Sequence, residues 1–351
     1  MANKVRIGFI GTGGMGQCAH LRNYATLPEC EVVALAEIRE DVRKKVAARY
    51  GIAHVYASHK ELLANEKLDG LVSAQPFTRH GTLLPDVLAA GIPLFTEKPL
   101  AGSIEMGEKI LKALAQGKSW YMVGYHKRSD PATQYAKAEI DKLKASGELG
   151  AMKYVRLLMP TGDWIAGGFF DLVRGEGEQP KLEFDPPASD MDKETNDQYI
   201  SFVNYYIHQV NLMRYLLGET YKVTYAAASG VMFAGQSNSG IACTLEMTPF
   251  QTTLDWQESA LVCFERGWVK IELPSPLAIN RPGKVTLFRD PGKGVVPQTI
   301  EPQMPWVHAM RQQAMNFIKA IKGEAKPPCE AAEALEDLKV AREYIRLWKG
   351  K

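Results

Sequence analysis

Two short stretches carry the residues most able to do chemistry. The first is Gly11-Thr12-Gly13-Gly14-Met15-Gly16, a G-x-G-x-x-G turn. In such a turn Gly11 allows the tight bend, and Gly13 lets the backbone come close to a pyrophosphate. Gly16 lets the following helix pack on the strand before it. The amides at the start of that helix point at the phosphates, where the dipole favours negative charge. Glu37, with Ile38 and Arg39 after it, stands about 20 residues downstream, where a carboxylate takes the hydroxyls of an adenosine ribose. A carboxylate there repels a 2′-phosphate, so NAD is expected rather than NADP, and Arg39 softens that choice. The second stretch is Thr96-Glu97-Lys98-Pro99. A lysine serves as a general acid or base only when its pKa is lowered, and burial beside a cationic nicotinamide would lower it. Glu97 would tune or orient Lys98, and Pro99 would fix the backbone, with a cis bond as one option.

The elements that must position these residues read as alternating strands and helices. Val5–Ile10 is a short apolar run of the kind that forms a buried parallel strand. Helical Gln17–Leu27, strand 32–36, helix Asp41–Tyr50, strand His54–Tyr56 and helix His59–Ala64 follow. Then come strand Leu68–Ala74, helix Leu83–Ala90, strand Ile92–Phe95, helix Ser103–Gln116 and strand Trp120–Val123. That alternation implies a doubly wound parallel sheet with its ligands outside the carboxyl ends of the strands. The loops at Gln75, Glu97 and Gly124 all follow strands and should open on one crevice.

Beyond helix Asp130–Ser146 the pattern changes to strands joined by short turns: Tyr154–Met159, Tyr221–Phe233, Ile241–Met247, Thr252–Gln257, Ala260–Glu265, Val269–Leu273 and Val285–Phe288. A mostly antiparallel open sheet is expected. The fold class is thus an α/β Rossmann domain followed by an α+β domain, with boundaries at 1–125 and 126–351. An insertion of about 161–196 is rich in Gly, Pro and acids and carries Asp163, Trp164, Phe169 and Phe170. So long a stretch without regular structure is usually functional or disordered. A substrate-contacting lid, an idle surface loop and a subunit contact all fit it. Asp197–Leu217 reads as one helix, and 307–321 and 331–348 as two more.

The totals exclude several classes. The 351 residues are too many for one core, and 46% hydrophobic with 23% charged is ordinary for a globular chain. A net charge of +2 gives no case for nucleic acid or a membrane surface. No apolar run nears the roughly 18 residues of a membrane span, and no signal peptide is read at the N-terminus. The five cysteines form no C-x-x-C pair, so no metal is expected, and reduced thiols in a cytoplasmic protein are the reading.

Thr96-Glu97-Lys98-Pro99, taken with the upstream glycine turn, resembles the glucose–fructose oxidoreductase/inositol dehydrogenase (Gfo/Idh/MocA) family. Gln75-Pro76 and His80 resemble that family's loop near the nicotinamide. The stretch 124–131, with Tyr125, His126 and Arg128, resembles its Gly–aromatic–Asn–Arg–Arg–x–Asp–Pro segment, and Gly147-Glu148-Leu149-Gly150 the start of its second domain. The resemblance implies an NAD-dependent oxidoreductase with Lys98 as general acid/base and His208 assisting. It also implies a sugar or cyclitol substrate, for which Lys98, Tyr125, His126, Arg128, Asn204, Tyr205 and His208 are the candidate contacts; Asp163 and Trp164, in the insertion that the resemblance does not cover, are candidates from its reading as a substrate-contacting lid. A homodimer or homotetramer is implied by analogy. Where the family has Asp, this chain has Asn204. On a single helix Asn204 and His208 would share a face at i, i+4, but an amide orients an imidazole without stabilising its charge. The alternative reading is an NAD-dependent glycoside hydrolase, which oxidises a sugar transiently and yields no net NADH.

Overall fold

The computed structural model describes residues 4–177 and 180–350, and by its contacts the chain forms two compact units. Unit 1 comprises 1–125, 167–200 and 313–338; unit 2 comprises 126–166, 201–312 and 339–351. The contacts thus place residues 167–200 with the first unit, whereas the sequence reading puts that stretch inside the second.

Unit 1 holds β1 (Val5–Ile10), α1 (Arg22–Tyr24), β2 (Cys30–Ala36), α2 (Glu40–Tyr50), β3 (His54–Tyr56), α3 (His59–Asn65), β4 (Gly70–Ser73), α4 (His80–Leu88), β5 (Leu94–Glu97), α5 (Ile104–Gln116) and β6 (Tyr121–Gly124). The strands form a wholly parallel sheet in the order β3-β2-β1-β4-β5-β6, the doubly wound arrangement expected. The helix after the glycine turn begins as a wide π-helical stretch, Gly16–Leu21, before α1. Serines start the outer helices: Ser58 accepts from the Glu61 N–H and Ser103 from the Met106 N–H, each filling an orphan donor of a first turn. One core cluster joins Ile7, Phe9, Leu35, Val72 and Phe95 to Phe317 and Ile318, with Val173 packed against it.

Unit 2 contains α6 (Pro131–Ser146), β7 (Met152–Thr161), α8 (Ile207–Leu217), β8 (Tyr221–Ala226), β9 (Met232–Ser237), β10 (Ala242–Gln251), β11 (Glu258–Phe264), β12 (Gly267–Leu273), β13 (Lys284–Arg289) and β14 (Gln298–Ile300). Helices α7 (Lys193–Tyr205), α9 (Ala309–Ile321) and α10 (Ala331–Trp348) have residues in both units. The eight strands run β14-β13-β12-β11-β7-β10-β9-β8, antiparallel throughout except for the parallel β7–β10 pair. Helix α6 covers β12 and β13, and α8 covers β7 and β10.

Three sequence expectations differ from the structure here. Residues 221–233 are two strands rather than one, because the chain turns at Gly230 with φ +73°. Residues 252–257 are irregular rather than a strand, with Thr252 Oγ1 donating to the Asp255 carbonyl at 2.6 Å in a local turn. Residues 197–217 are not one helix: Tyr206, at φ −99° and ψ −2°, breaks them into α7 and α8. Asn204 therefore sits exposed on α7 and His208 buried on α8, and the shared helical face expected of them does not exist.

Candidate active site

In unit 1 the glycine turn does what its spacing implies. Gly11 has φ +90°, and a Cβ there would stand 2.7 Å from the Ala74 carbonyl, so only glycine fits. A Cβ on Gly16 would lie 2.5 Å from the Gly11 carbonyl, so the helix can pack this closely only without a side chain. At Gly13 a Cβ would meet nothing within 4 Å, which leaves its backbone open to a phosphate. A cavity of about 530 Å³ opens beside the turn, lined by Gly11, Gly13, Glu37, Ile38, Arg39, Gln75 and Pro76 among others. Its size is that of a small-molecule site. Seven of the residues expected to hold a dinucleotide thus converge at the carboxyl ends of β1, β2 and β4, and the donor set fits that group.

Glu37 is buried and saturated with donors. The Thr12 N–H and hydroxyl donate to Oε2 at 2.9 and 3.0 Å. The Arg39 N–H and Nε donate to Oε1 at 3.1 and 2.8 Å, and Arg39 Nη2 donates to Oε2 at 2.9 Å. Burial pushes the Glu37 carboxyl up, but the donors from Arg39 and Thr12 outweigh it and hold the group below the usual carboxylate range. The carboxylate ties the turn to β2, and its charge is already matched by Arg39.

Glu97 ends β5 and is fully buried beside His20, whose Nε2 lies 2.6 Å from Oε1. Burial pushes this carboxyl up too. The hydrogen bond and charge of His20, with the charge of Lys98, hold it below the ordinary value. The His20 ring is fixed edge-on to Phe95, with centroids 5.1 Å apart. Lys98 follows, half-buried, with its N–H donating to Glu97 Oε2 at 3.3 Å and a cis peptide joining it to Pro99. His80 opens α4, fully buried, with Nδ1 3.0 Å from the Leu100 carbonyl, and burial lowers its pKa. Thr12, Gly14, Met15, Gly16, His80, Glu97 and Lys98 do not line the cavity.

In unit 2 the basic triplet turns inward. His126, Lys127 and Arg128 are all buried. Lys127 pairs with Glu258, which also accepts from Gln209 at 2.7 Å and from the Trp256 indole at 3.1 Å. Arg128 Nε donates to Asn211 Oδ1 at 2.7 Å, and its guanidinium stacks over Tyr215. The His126 and His208 rings meet edge to face, with centroids 4.4 Å apart. Tyr205 is half-buried, which raises its pKa. Asp163 Oδ1 caps the Ile165 and Ala166 N–H groups, and the Trp164 carbonyl accepts from Leu277 at 3.3 Å. Tyr125 is buried at the end of unit 1.

Sequence reasoning missed several of these partners. His20 stands one helical turn beyond Gly16, and that spacing could have flagged it. Gln17, Arg79 and the residues of 167–185 that meet the turn carry no periodic signal at all. Among the described residues no group of His, Cys, Asp and Glu is arranged to hold a metal ion, and no helix is long and apolar enough to cross a membrane.

A parallel doubly wound sheet with this turn and cavity is the arrangement of a dinucleotide-binding domain. Residues 5–125 match the family model GFO_IDH_MocA, described as the oxidoreductase family with an NAD-binding Rossmann fold, and that domain of the chain is of the Gfo/Idh/MocA type. The inositol 2-dehydrogenase/D-chiro-inositol 3-dehydrogenase of Shouchella clausii is 36% identical over 128 residues, 36% of this chain and 37% of that protein. The match therefore spans little more than a third of that relative's length. In fold, the WlbA dehydrogenase from Bordetella pertussis, solved with NADH and UDP-GlcNAcA, superposes with a TM-score of 0.71 at 20% identity, covering 99% of this chain and 96% of that one. A levoglucosan dehydrogenase, solved with NADH and levoglucosan, gives 0.74 at 17% identity over 99% and 98%.

Proposed function

We propose that this chain transfers a hydride between a nicotinamide coenzyme, NAD in preference to NADP, and a secondary alcohol carbon of a sugar, cyclitol or sugar derivative. The observation that carries the reading is the cavity of unit 1, where Gly11, Gly13, Glu37 and Gln75 converge at the strand ends. The coenzyme, when bound, supplies or accepts the hydride. Lys98 takes the hydroxyl proton on oxidation and returns it on reduction. Glu97, held below the ordinary carboxylate range by His20 and Lys98, fixes its neighbour's backbone by accepting from the Lys98 N–H. Gln75, Pro76 and His80 are assigned to the coenzyme, with His80 neutral through burial.

His208, Asn204, Tyr205, Tyr125, His126, Arg128, Asp163 and Trp164 are the substrate-side residues of the proposal. Lys127 and Arg128 already have internal partners, which favours an uncharged polyol over an acidic sugar. The pairing of Arg39 with Glu37 weakens discrimination against NADP without reversing it. A homodimer or homotetramer would form through the open face of the eight-stranded sheet, where β11 buries alternate residues and leaves Ser259, Leu261 and Cys263 partly exposed. Five unbonded cysteines suit a reducing, cytoplasmic compartment.

The test is a panel of inositols, sugars and glycosides with NAD and NADP, following reduced-nicotinamide absorbance and product together. Stoichiometric NADH with an oxidised polyol is expected. Lys98→Ala should lower the rate by on the order of 10²-fold or more while NADH affinity, read by fluorescence titration, changes little. The second reading, an NAD-dependent glycosidase, draws on residues 180–185, which line the coenzyme cavity, are tied to α4 through Asp185 and suit a coenzyme kept through turnover. Glycoside cleavage without net NADH would establish it.

A further inference from the structure

Residues 167–177 and 180–185 are each anchored to unit 1. On the side of the glycine turn, the Gln17 amide donates to the Thr12 carbonyl at 2.7 Å and to the Val173 carbonyl at 3.0 Å, and accepts from the Val173 N–H at 2.9 Å. One side chain thus ties the turn to the first of these stretches. Arg22 pairs with Asp171 and donates to the Gly168 carbonyl at 3.2 Å, while Asp41 accepts from the Glu176 N–H at 2.8 Å. The Phe169 ring rests on Gly14, where an added Cβ would touch it at 3.4 Å. In the second stretch, Asp185 accepts from the Gly81 N–H at 2.8 Å and from the Thr82 hydroxyl at 2.7 Å, both at the start of α4. The Asp185 N–H donates to the Thr78 carbonyl at 2.7 Å, and Arg79 Nε to the Glu183 carbonyl at 2.8 Å.

Pro180, Leu182 and Phe184 line the same cavity as Gly13, Glu37 and Ile38. Phe184 is 53% exposed and Ile38 52%. Two large apolar side chains on a cavity wall, each left half uncovered by the protein itself, form a surface that a flat apolar ring would cover.

We propose that residues 180–185 are a dedicated coenzyme-binding wall, with adenine lodged against Ile38, Leu182 and Phe184, and that Asp185 is the positioning residue whose latch on α4 sets how fast the coenzyme leaves. The proposal rests on the dinucleotide reading above. Because residues 180–185 line the cavity and are tied to α4 through Asp185, a dinucleotide lodged against them leaves faster when that anchor opens. The effect therefore belongs in the dissociation rate more than in association.

The experiment follows NADH release from the full chain by stopped-flow fluorescence, with ADP-ribose affinity and the melting temperature measured on the same samples. Phe184→Ala, at an exposed position, should speed release on the order of tenfold and weaken ADP-ribose by a similar factor, with melting unchanged. Asp185→Ala should speed release at least as much, and Asp185→Asn, whose amide oxygen can accept from the Gly81 N–H while its NH2 donates to the Thr82 hydroxyl, should recover most of the loss. Release within twofold of the parent in both Phe184→Ala and Asp185→Ala overturns the proposal, as does faster NADH release with ADP-ribose affinity untouched. A parent chain that binds neither NADH nor NADPH overturns the dinucleotide reading itself, a different outcome from either of those.

Discussion

Both units bury carboxyl groups, yet the two treat them in opposite ways. In unit 1, Glu37 and Glu97 are buried and still held below the ordinary carboxylate range. Five donor contacts reach the first, and His20 and Lys98 act on the second. In unit 2, Asp130 caps α6 through the Ala132 N–H at 2.8 Å and accepts from the Gly283 N–H at 3.1 Å. Burial dominates there and pushes its pKa up to about 6. Backbone amides and the charge of Lys127 act against that rise without cancelling it. The difference teaches that depth alone does not decide charge. What decides it is whether a cation or a full set of donors was buried alongside.

The sharpest way to break the contrast is His20→Ala. It strands the Glu97 carboxylate without its partner and should cost roughly 3–5 kcal/mol of unfolding free energy, read from urea titration. A loss under about 1 kcal/mol would mean the pair is not what keeps Glu97 ionised.

Next comes the pH dependence. Glu37 and Glu97 contribute stability that is present above about pH 4.5 and is lost as pH falls through their depressed values. Asp130 has the opposite sign. Its folded value lies above the ordinary 3.8, so the stability it lends is full below that pH and is lost as pH rises to about 6. At about 1.4 kcal/mol per tenfold, the swing is about 3 kcal/mol. Asp130→Asn, which keeps a capping oxygen, should lack that swing, so that most of it appears as a change in the parent-minus-variant unfolding free energy between pH 4 and 6.5.

The smallest effect is expected at Arg39. Arg39→Ala leaves Glu37 its two contacts from Thr12 and should cost about 1–2 kcal/mol. It should also move the ratio of NADP to NAD dissociation constants toward stricter NAD use, since the uncompensated carboxylate would then face a 2′-phosphate. An unchanged ratio would separate the ion pair from coenzyme choice.

What could be read beforehand follows the range of the forces involved. The glycine turn, the six parallel strands and the acid at position 37 are local patterns, and the structure has them at the expected places. The helix break at Tyr206 was not legible, because the apolar stripe runs through it and the residue's identity does not forbid helix. The inward pairing of Lys127 with Glu258 joins positions 131 residues apart, a separation no periodicity reports. The anchoring of residues 167–177 and 180–185 was invisible for a related reason. Their contacts come from backbone groups and from Gln17, Arg22 and Asp185, none of which marks a strand or a helix.

Phe317 has a practical bearing on how this chain can be cut. It lies in α9, far along the chain, yet it packs among Tyr24, Phe95 and Trp120 with ring centroids 6.3, 5.8 and 5.5 Å away. A truncated gene that stops after the sixth strand would make a product with an aromatic-lined hole and an unsheltered greasy flank. Anyone seeking the nucleotide-binding half by itself should splice residues 313–338 back on through a linker, or else expect inclusion bodies.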